Sequence, residues 1–373
     1  MLHARRARRP LLAGAAALGL VLTACGAAED DGGAETAETG ETTETEEATD
    51  DLLVVATTSI LGDLTENLLA DDGTVEVIMP PGADPHGFEP SAADAAMLRE
   101  ADLVIANGLQ LEENLVSALD SAEEDGVRVF ELADKLDPID FDWDGPHDHG
   151  HGEDGHDDED EGHGHEDEDE GHGHEDEDEG HGHDDEDEGH GAEDPHFWHD
   201  PVRTADGVLL IADELAEVSE VVDAEEWETR AQGYADEILA VHEEVEETLA
   251  VIDDADRMLV TNHDAFGYLA VRYDFEVLGT VIPGSSTQAE ANPREFSELI
   301  QTVEEAGVST VFSENTESDR LAEQLASEVV DRSDLEIEVV QLYSDALGED
   351  GSGAETYLDM LRENAQRIAD ALG

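Results

Sequence analysis

"LLVVAT" (Leu52–Thr57) is followed, after Thr58, by "SILGDLTENLLA" (Ser59–Ala70). The first stretch is apolar and rich in β-branched residues, with no polar alternation. The second carries its apolar residues at helical spacing. A strand without alternation is covered on both faces, as in a parallel sheet flanked by helices. Working outward, the unit repeats. "VEVIMP" (Val75–Pro80), "DLVIAN" (Asp102–Asn107) and "VRVFEL" (Val127–Leu132) read as strands. "SAADAAMLREA" (Ser91–Ala101, with a serine N-cap) and "ENLVSALDSA" (Glu113–Ala122) read as the helices between them.

The alternation restarts near residue 256. Strands are expected in "RMLVTN" (Arg257–Asn262), "FEVLGTVI" (Phe275–Ile282), "VSTVFSE" (Val308–Glu314) and "LEIEVVQLY" (Leu335–Tyr343). Helices are expected after His263, in "PREFSELIQTVEEAG" and "DRLAEQLASEVV", and from Ala354 onward. Between the two series, Ala224 to about Ile252 has no proline, only Gly233 as glycine, and helical apolar spacing. A helix of about 30 residues would be about 45 Å long, enough to span two lobes. The expected class is therefore α/β: two lobes, each with a parallel sheet flanked by helices, joined by one long linker helix. The boundaries read as an N-terminal lobe over 52–222, interrupted at 142–193, a linker helix over 223–255, and a C-terminal lobe over 256–373.

The chain has 373 residues, with 16 Lys and Arg against 101 Asp and Glu, a formal net charge of -85. Such a chain repels nucleic acid and anionic lipid and attracts cations. At the N-terminus a basic "MLHARRARRP" and an apolar "LLAGAAALGLVL" precede "LTAC", in which Cys25 is the only cysteine. The apolar run is too short to span a bilayer and reads as a secretory signal over 1–24. "LTAC" resembles a bacterial lipobox, which would make Cys25 a lipid anchor; the bland alternative is an incidental thiol. No internal disulfide is possible, so the fold must rest on an apolar core. Residues 25–51, largely Glu, Thr, Ala and Gly, read as a disordered tether. Residues 52–141 and 194–373 still hold 64 acids against 12 bases, so the lobes themselves are acidic. Compositional bias of the source or adaptation to salt would each produce this.

Eleven of the 17 histidines lie in the interruption: His147, His149, His151, His156, His163, His165, His172, His174, His181, His183 and His190. The core of this stretch repeats "EGHGHEDED", at Glu161–Asp169 and Glu170–Asp178. A nine-residue repeat without apolar side chains cannot stack a core, and it lacks the fixed geometry that tight coordination needs. Flanking carboxylates also favour the protonated imidazole, which competes with metal. The stretch reads as a weak, multiple zinc collector, against the alternative of an acidic solvated loop without a role.

Four candidate ligands stand outside it: His86 in "GADPHGFEPS", His196 in "DPHFWHDP", His263 in "VTNHDAFGYLA" and Asp345 in "QLYSDALG". His86, His263 and Asp345 each come just after an expected strand, where ligands bind in open parallel sheets. Taken singly, each histidine could be a helix cap or a surface residue; their shared placement weakens that reading. His242, inside the long polar helix, reads as a surface residue. Phe197 and Trp198 read as packing around a site rather than a recognition surface.

These segments, with "VVATTSILGDL", "ADLVIANGLQLEENL" and "IPGSSTQAEANP", resemble the zinc- and manganese-type solute-binding proteins of bacterial ABC importers. The resemblance covers nearly all of 52–373 apart from the insertion, and an acidic His-rich insertion before "DPH" is typical of the zinc members. It implies a metal held between lobes, with His86 and His196 from the N-terminal lobe and His263 and Asp345 from the C-terminal lobe. Manganese members carry Glu where this chain has His263. Three imidazoles and one carboxylate suit tetrahedral Zn²⁺, and the donor set favours it over manganese. His199 stands where the family's motif usually continues with an aliphatic residue. It is expected as an outer-shell or solvent-facing histidine, with a direct metal role as the alternative.

The expectation is an exported receptor, anchored through Cys25 to the outer face of the cell membrane. It captures Zn²⁺ as transported ligand, delivers it to an ABC permease, and works as a monomer without catalysis. Alternatives are a manganese-binding member, a zinc-dependent hydrolase, or a surface zinc buffer or adhesin. Catalytic zinc keeps an open position beside three protein ligands, and no "HExxH" or "GxSxG" motif is present.

Overall fold

The computed structural model describes residues 52–140, 193–219, 221–289 and 291–373. The signal, the tether, Cys25 and the eleven insertion histidines lie outside the described residues. In the N-terminal half, β1 (Leu52–Ala56), β2 (Gly73–Val77), β3 (Leu103–Ala106) and β4 (Arg128–Glu131) form one sheet in the order β2-β1-β3-β4. Every pairing is parallel. Because β2 lies on one side of β1 and β3 on the other, the chain reverses its winding there, and a crevice opens at the carboxyl ends of β1 and β3.

The helices are punctuated as their sequences dictate. The Thr58 hydroxyl caps α1 (Ser59–Leu69), and Ser91 with Asp94 forms a capping box on α2 (Ala92–Glu100). After α3 (Val116–Glu124) and β4, Asp140 and Glu193 pair in an antiparallel bridge. The chain thus leaves for the insertion and returns at one point, just before "DPHFWH". Asp200 then caps α4 (Pro201–Val218), with Pro201 at the first turn.

The long helix α5 runs Ala224–Leu249, 26 residues and about 39 Å. It begins under Asp223 with Glu225 and Glu226 in its first turn, where acids suit the helix dipole. It stops short of the 255 expected. No basic residue occupies the last turn, and Asp253, Asp254 and Asp256 follow, where negative charge opposes helix continuation. It packs on α1 and α4 and also on the last helix, and so serves both halves.

The C-terminal half contains β5 (Met258–Thr261), α6 (Gly267–Tyr273), β6 (Glu276–Thr280), α7 (Pro293–Ala306), β7 (Thr310–Glu314), α8 (Arg320–Arg332), β8 (Glu338–Leu342) and α9 (Tyr357–Leu372). Its strands form two parallel pairs, β5 with β6 and β7 with β8. β5 lies beside β7 without a continuous ladder. At their carboxyl ends a side chain takes over the join: Glu314 Oε1 accepts the amides of Asn262 and His263 at 3.1 and 3.0 Å.

The largest apolar core runs through both halves, from Val54 and Leu64 through Trp198, Ile238 and Phe266 to Tyr357 and Ile368. Smaller clusters cover the outer face of each half. No helix among the described residues is long and apolar enough to cross a membrane.

Candidate metal centre

The connection after β2 carries His86. Its amide donates to Asp84 Oδ1 at 3.0 Å, and the Asn114 side-chain amide donates to its carbonyl at 3.4 Å. His196 follows the stem of the insertion. Asp194 Oδ1 accepts its amide at 2.9 Å and lies 2.7 Å from its Nδ1. His263 comes directly after β5, with Nδ1 2.5 Å from Glu314 Oε2. Asp345 follows β8 in a segment held by its neighbours: Trp198 Nε1 donates to the Ser344 carbonyl at 2.8 Å, and the Leu347 amide donates to Ser59 Oγ at 3.0 Å.

These four side chains converge. One donor atom from each of His86, His196, His263 and Asp345 lies within 4.8 Å of all the others. Exposure is 2 % for His86, 1 % for Asp345 and 0 % for His196 and His263, so water does not compete freely for the donors. The ring centroids are 5.7 Å (His86–His196), 5.6 Å (His86–His263) and 5.3 Å (His196–His263) apart. His196 Nε2 lies 3.6 Å from Asp345 Oδ1, and His263 Nε2 lies 3.3 Å from Asp345 Oδ2. A tetrahedral ion with bonds of about 2.0–2.1 Å needs donors about 3.3 Å apart, so a small contraction would close the set. Both Asp345 oxygens, both nitrogens of His86 and of His263, and Nε2 of His196 lack hydrogen-bond partners among the described residues. Buried polar atoms left without partners are costly, and a cation at the centre would satisfy Asp345 and one nitrogen of each imidazole together.

The electrostatics suit a cation. Burial pushes the His86 imidazole down to about 3, which keeps it neutral and able to donate a lone pair. Burial alone would raise Asp345, but His263 and then His196 and His86 outweigh it and hold the carboxyl well below its usual range. Burial opposes protonation of His263, yet Glu314 and Asp345 together hold its pKa well above the usual value. Metal ligands must be deprotonated, so a cation bound here would compete with a proton on His263.

Two carboxylates missed in the sequence, Asp194 and Glu314, each face the Nδ1 of a histidine, which leaves Nε2 turned toward the cluster. Such partners fix the tautomer and orientation of a ligating imidazole. Asp194 stands two residues before its histidine, in hydrogen-bonding range for a short acidic side chain. Glu314 stands 51 residues away, and only the adjacency of β5 and β7 brings it there.

His199 is buried rather than solvent-facing, and it is not one of the four convergent residues. Its ring stacks on Phe266 with centroids 4.6 Å apart, and burial pushes its pKa down to about 3. Phe197 and Trp198 are buried, and Trp198 packs edge-on to His196. His242 is half-buried rather than a plain surface residue, because its Nδ1 lies 3.0 Å from the Tyr273 hydroxyl between α5 and α6.

Behind the site the halves are tied by several polar contacts. Arg272 donates to both Asp200 oxygens at 2.8 and 2.6 Å, the Tyr268 hydroxyl donates to the Asp194 carbonyl at 3.0 Å, and the Tyr357 hydroxyl donates to the Trp198 carbonyl at 2.7 Å. On the His86 side, Ser286 Oγ donates to Glu113 Oε1 at 2.5 Å and Thr287 Oγ1 to Asp84 Oδ2 at 2.8 Å.

Residues 54–371 match the family described as "ZnuA: Zinc-uptake complex component A periplasmic". The chain is similar to the manganese-binding lipoprotein MntA of Halalkalibacterium halodurans, 27% identical over 355 residues and covering 95% of each chain. It is similar to the zinc-binding protein TroA of Treponema pallidum, 25% identical over 86% of this chain and 88% of that one. Among solved structures, the periplasmic zinc-binding protein TroA matches with a TM-score of 0.69 at 24% identity, over 87% of this chain and 99% of that one.

Proposed function

The chain belongs to the zinc-uptake complex component A family, the metal-binding substrate-binding proteins of ABC importers, and from that premise we propose that it is a receptor for Zn²⁺. His86, His196, His263 and Asp345 would hold the ion between the lobes and release it to a membrane permease. The observation that carries this reading is the buried meeting of three imidazoles and one carboxylate at the join of the two halves. Nitrogen-rich four-coordinate sets suit Zn²⁺, whereas Mn²⁺ favours more oxygen donors. A fourth protein ligand closes the sphere, which argues for carriage and against hydrolysis, since catalytic zinc keeps a position open. Lobe boundaries at 52–222 and 256–373 belong to the same proposal, as do export, anchoring through Cys25, monomeric action and weak zinc collection by the histidines of 142–193.

Manganese is the second reading. Both Asp345 oxygens lack hydrogen-bond partners among the described residues. A carboxylate binding through both would enrich the set in oxygen. The relative from Halalkalibacterium halodurans is itself a manganese-binding lipoprotein.

The test is a competition titration of Zn²⁺ against Mn²⁺, on the full chain, on a form lacking 142–193, and on His263→Glu. One tight site preferring zinc by at least about 10-fold should survive the deletion while weak sites disappear. His263→Glu should move the preference toward manganese. Equal or tighter manganese binding in the unmutated protein would overturn the zinc reading. Loss of the tight site with the deletion would place it in the insertion.

A further inference from the structure

We infer that Glu113 is the positioning residue for His86, and that Ser286 of the other lobe holds Glu113 in place. Glu113 is 39% exposed, against 3% for Asp194 and 0% for Glu314, which makes His86 the imidazole on the solvent side of the site. This rests on the reading of the four convergent residues as a metal site. The inference comes from an asymmetry among the three imidazoles. His196 and His263 each have a carboxylate within hydrogen-bond distance of Nδ1, from Asp194 and Glu314. At His86, although it is almost wholly buried, no carboxylate among the described residues comes within hydrogen-bond distance of either nitrogen. The acidic group nearest its Nδ1 is Glu113, whose Oε1 lies 3.8 Å away. A shift of about 1 Å would bring the pair to hydrogen-bond distance.

Glu113 can make that shift. Its side chain is 39% exposed, and it sits in the connection between β3 and α3, outside any regular element. A carboxylate oxygen has two lone pairs, so Oε1 can take the His86 N–H while keeping the Ser286 hydroxyl. A cation on His86 Nε2 polarises the ring and makes Nδ1–H a stronger donor, which draws the carboxylate in. Glu113 and His86 belong to the N-terminal half and Ser286 to the C-terminal half. The third carboxylate–imidazole pair therefore forms fully only when the segment around Ser286 is in place. That segment lies close over the His86 connection: a side chain at Gly87 would come within 2.6 Å of Gln288 Nε2.

The experiment loads the full chain with one equivalent of Co²⁺ and follows the paramagnetically shifted, exchangeable imidazole N–H signals by proton NMR, alongside the rate of metal release to a chelator. Three such signals are expected, one of them lost in His86→Ala. In Glu113→Gln that same signal should broaden through exchange with water while the other two persist, and release should quicken about 10-fold. Glu113→Asp should restore part of the protection, and Ser286→Ala should shift both readouts in the same direction by less. Three sharp signals and unchanged release in Glu113→Gln would overturn the role of Glu113 while leaving the receptor reading intact. Two sharp signals in the unmutated protein would likewise overturn the role of Glu113 alone, and no shifted imidazole signal at all would overturn the receptor reading as well.

Discussion

The tripeptide Asp-Pro-His occurs twice, at Asp84–His86 and at Asp194–His196, and the two copies meet different fates. In both, the aspartate accepts the amide of the histidine two residues on, at 3.0 and 2.9 Å. Asp194 also faces the Nδ1 of its own histidine, whereas Asp84 turns its second oxygen across the join to Thr287. One copy thus faces its own imidazole, and the other reaches across to the C-terminal half. Near Asp194 the halves are joined by the bidentate Arg272–Asp200 pair and the Trp198–Ser344 bond, and near Asp84 by two single hydroxyl contacts.

Breaking each copy in turn tests this contrast. Asp194→Asn keeps an acceptor for the backbone amide but removes the charge beside His196 Nδ1. Metal affinity at the tight site should fall about 10-fold or more, in the range that outer carboxylates command. Asp84→Asn should cost no more than about 3-fold in affinity, because it removes no partner of a ring nitrogen, and should act mainly on the rates of binding and release. Calorimetry with stopped-flow chelator release separates the two variants. Equal losses of affinity would erase the contrast.

A smaller effect sharpens the picture of the back wall. His199 is buried against Phe266 with its pKa pushed down to about 3, while an imidazole in the unfolded chain takes its proton near 6.5. Between those values the unfolded state binds more protons, so the contribution of His199 to stability falls as pH drops below about 6.5. His199→Leu removes this loss. Relative to the unmutated protein, the metal-free variant should gain about 1 kcal/mol between pH 7.5 and pH 5.5, measured by urea denaturation in the presence of chelator. A constant difference across that range would mean that His199 is not held neutral.

Much of the architecture was legible because its strands carry runs such as Leu52–Ala56 and Leu103–Ala106, buried on both faces and apolar throughout. The serine N-cap at Ser91 marked the start of α2. The end of α5 was not legible, since apolar periodicity continues to Ile252 while the accumulating aspartates stop the helix at Leu249. The four convergent residues stood out because three of them follow strands. Their partners did not. Glu314 closes β7 as an ordinary strand-end acid and acquires its role only through the neighbouring β5. Asp194 could have been suspected from the repeated tripeptide, but nothing local distinguishes it from Asp84, because the difference lies in Thr287, 203 residues away from Asp84. His242 looked like a surface residue because its partner Tyr273 lies 31 residues on.

The most direct test of the account is X-ray absorption at the zinc edge on protein lacking 142–193 and loaded with one equivalent of Zn²⁺. Three imidazoles and one carboxylate oxygen at about 2.0 Å are expected, with one imidazole fewer in each of His86→Ala, His196→Ala and His263→Ala. A spectrum unchanged by two of these three substitutions would contradict the placement of the metal between the lobes.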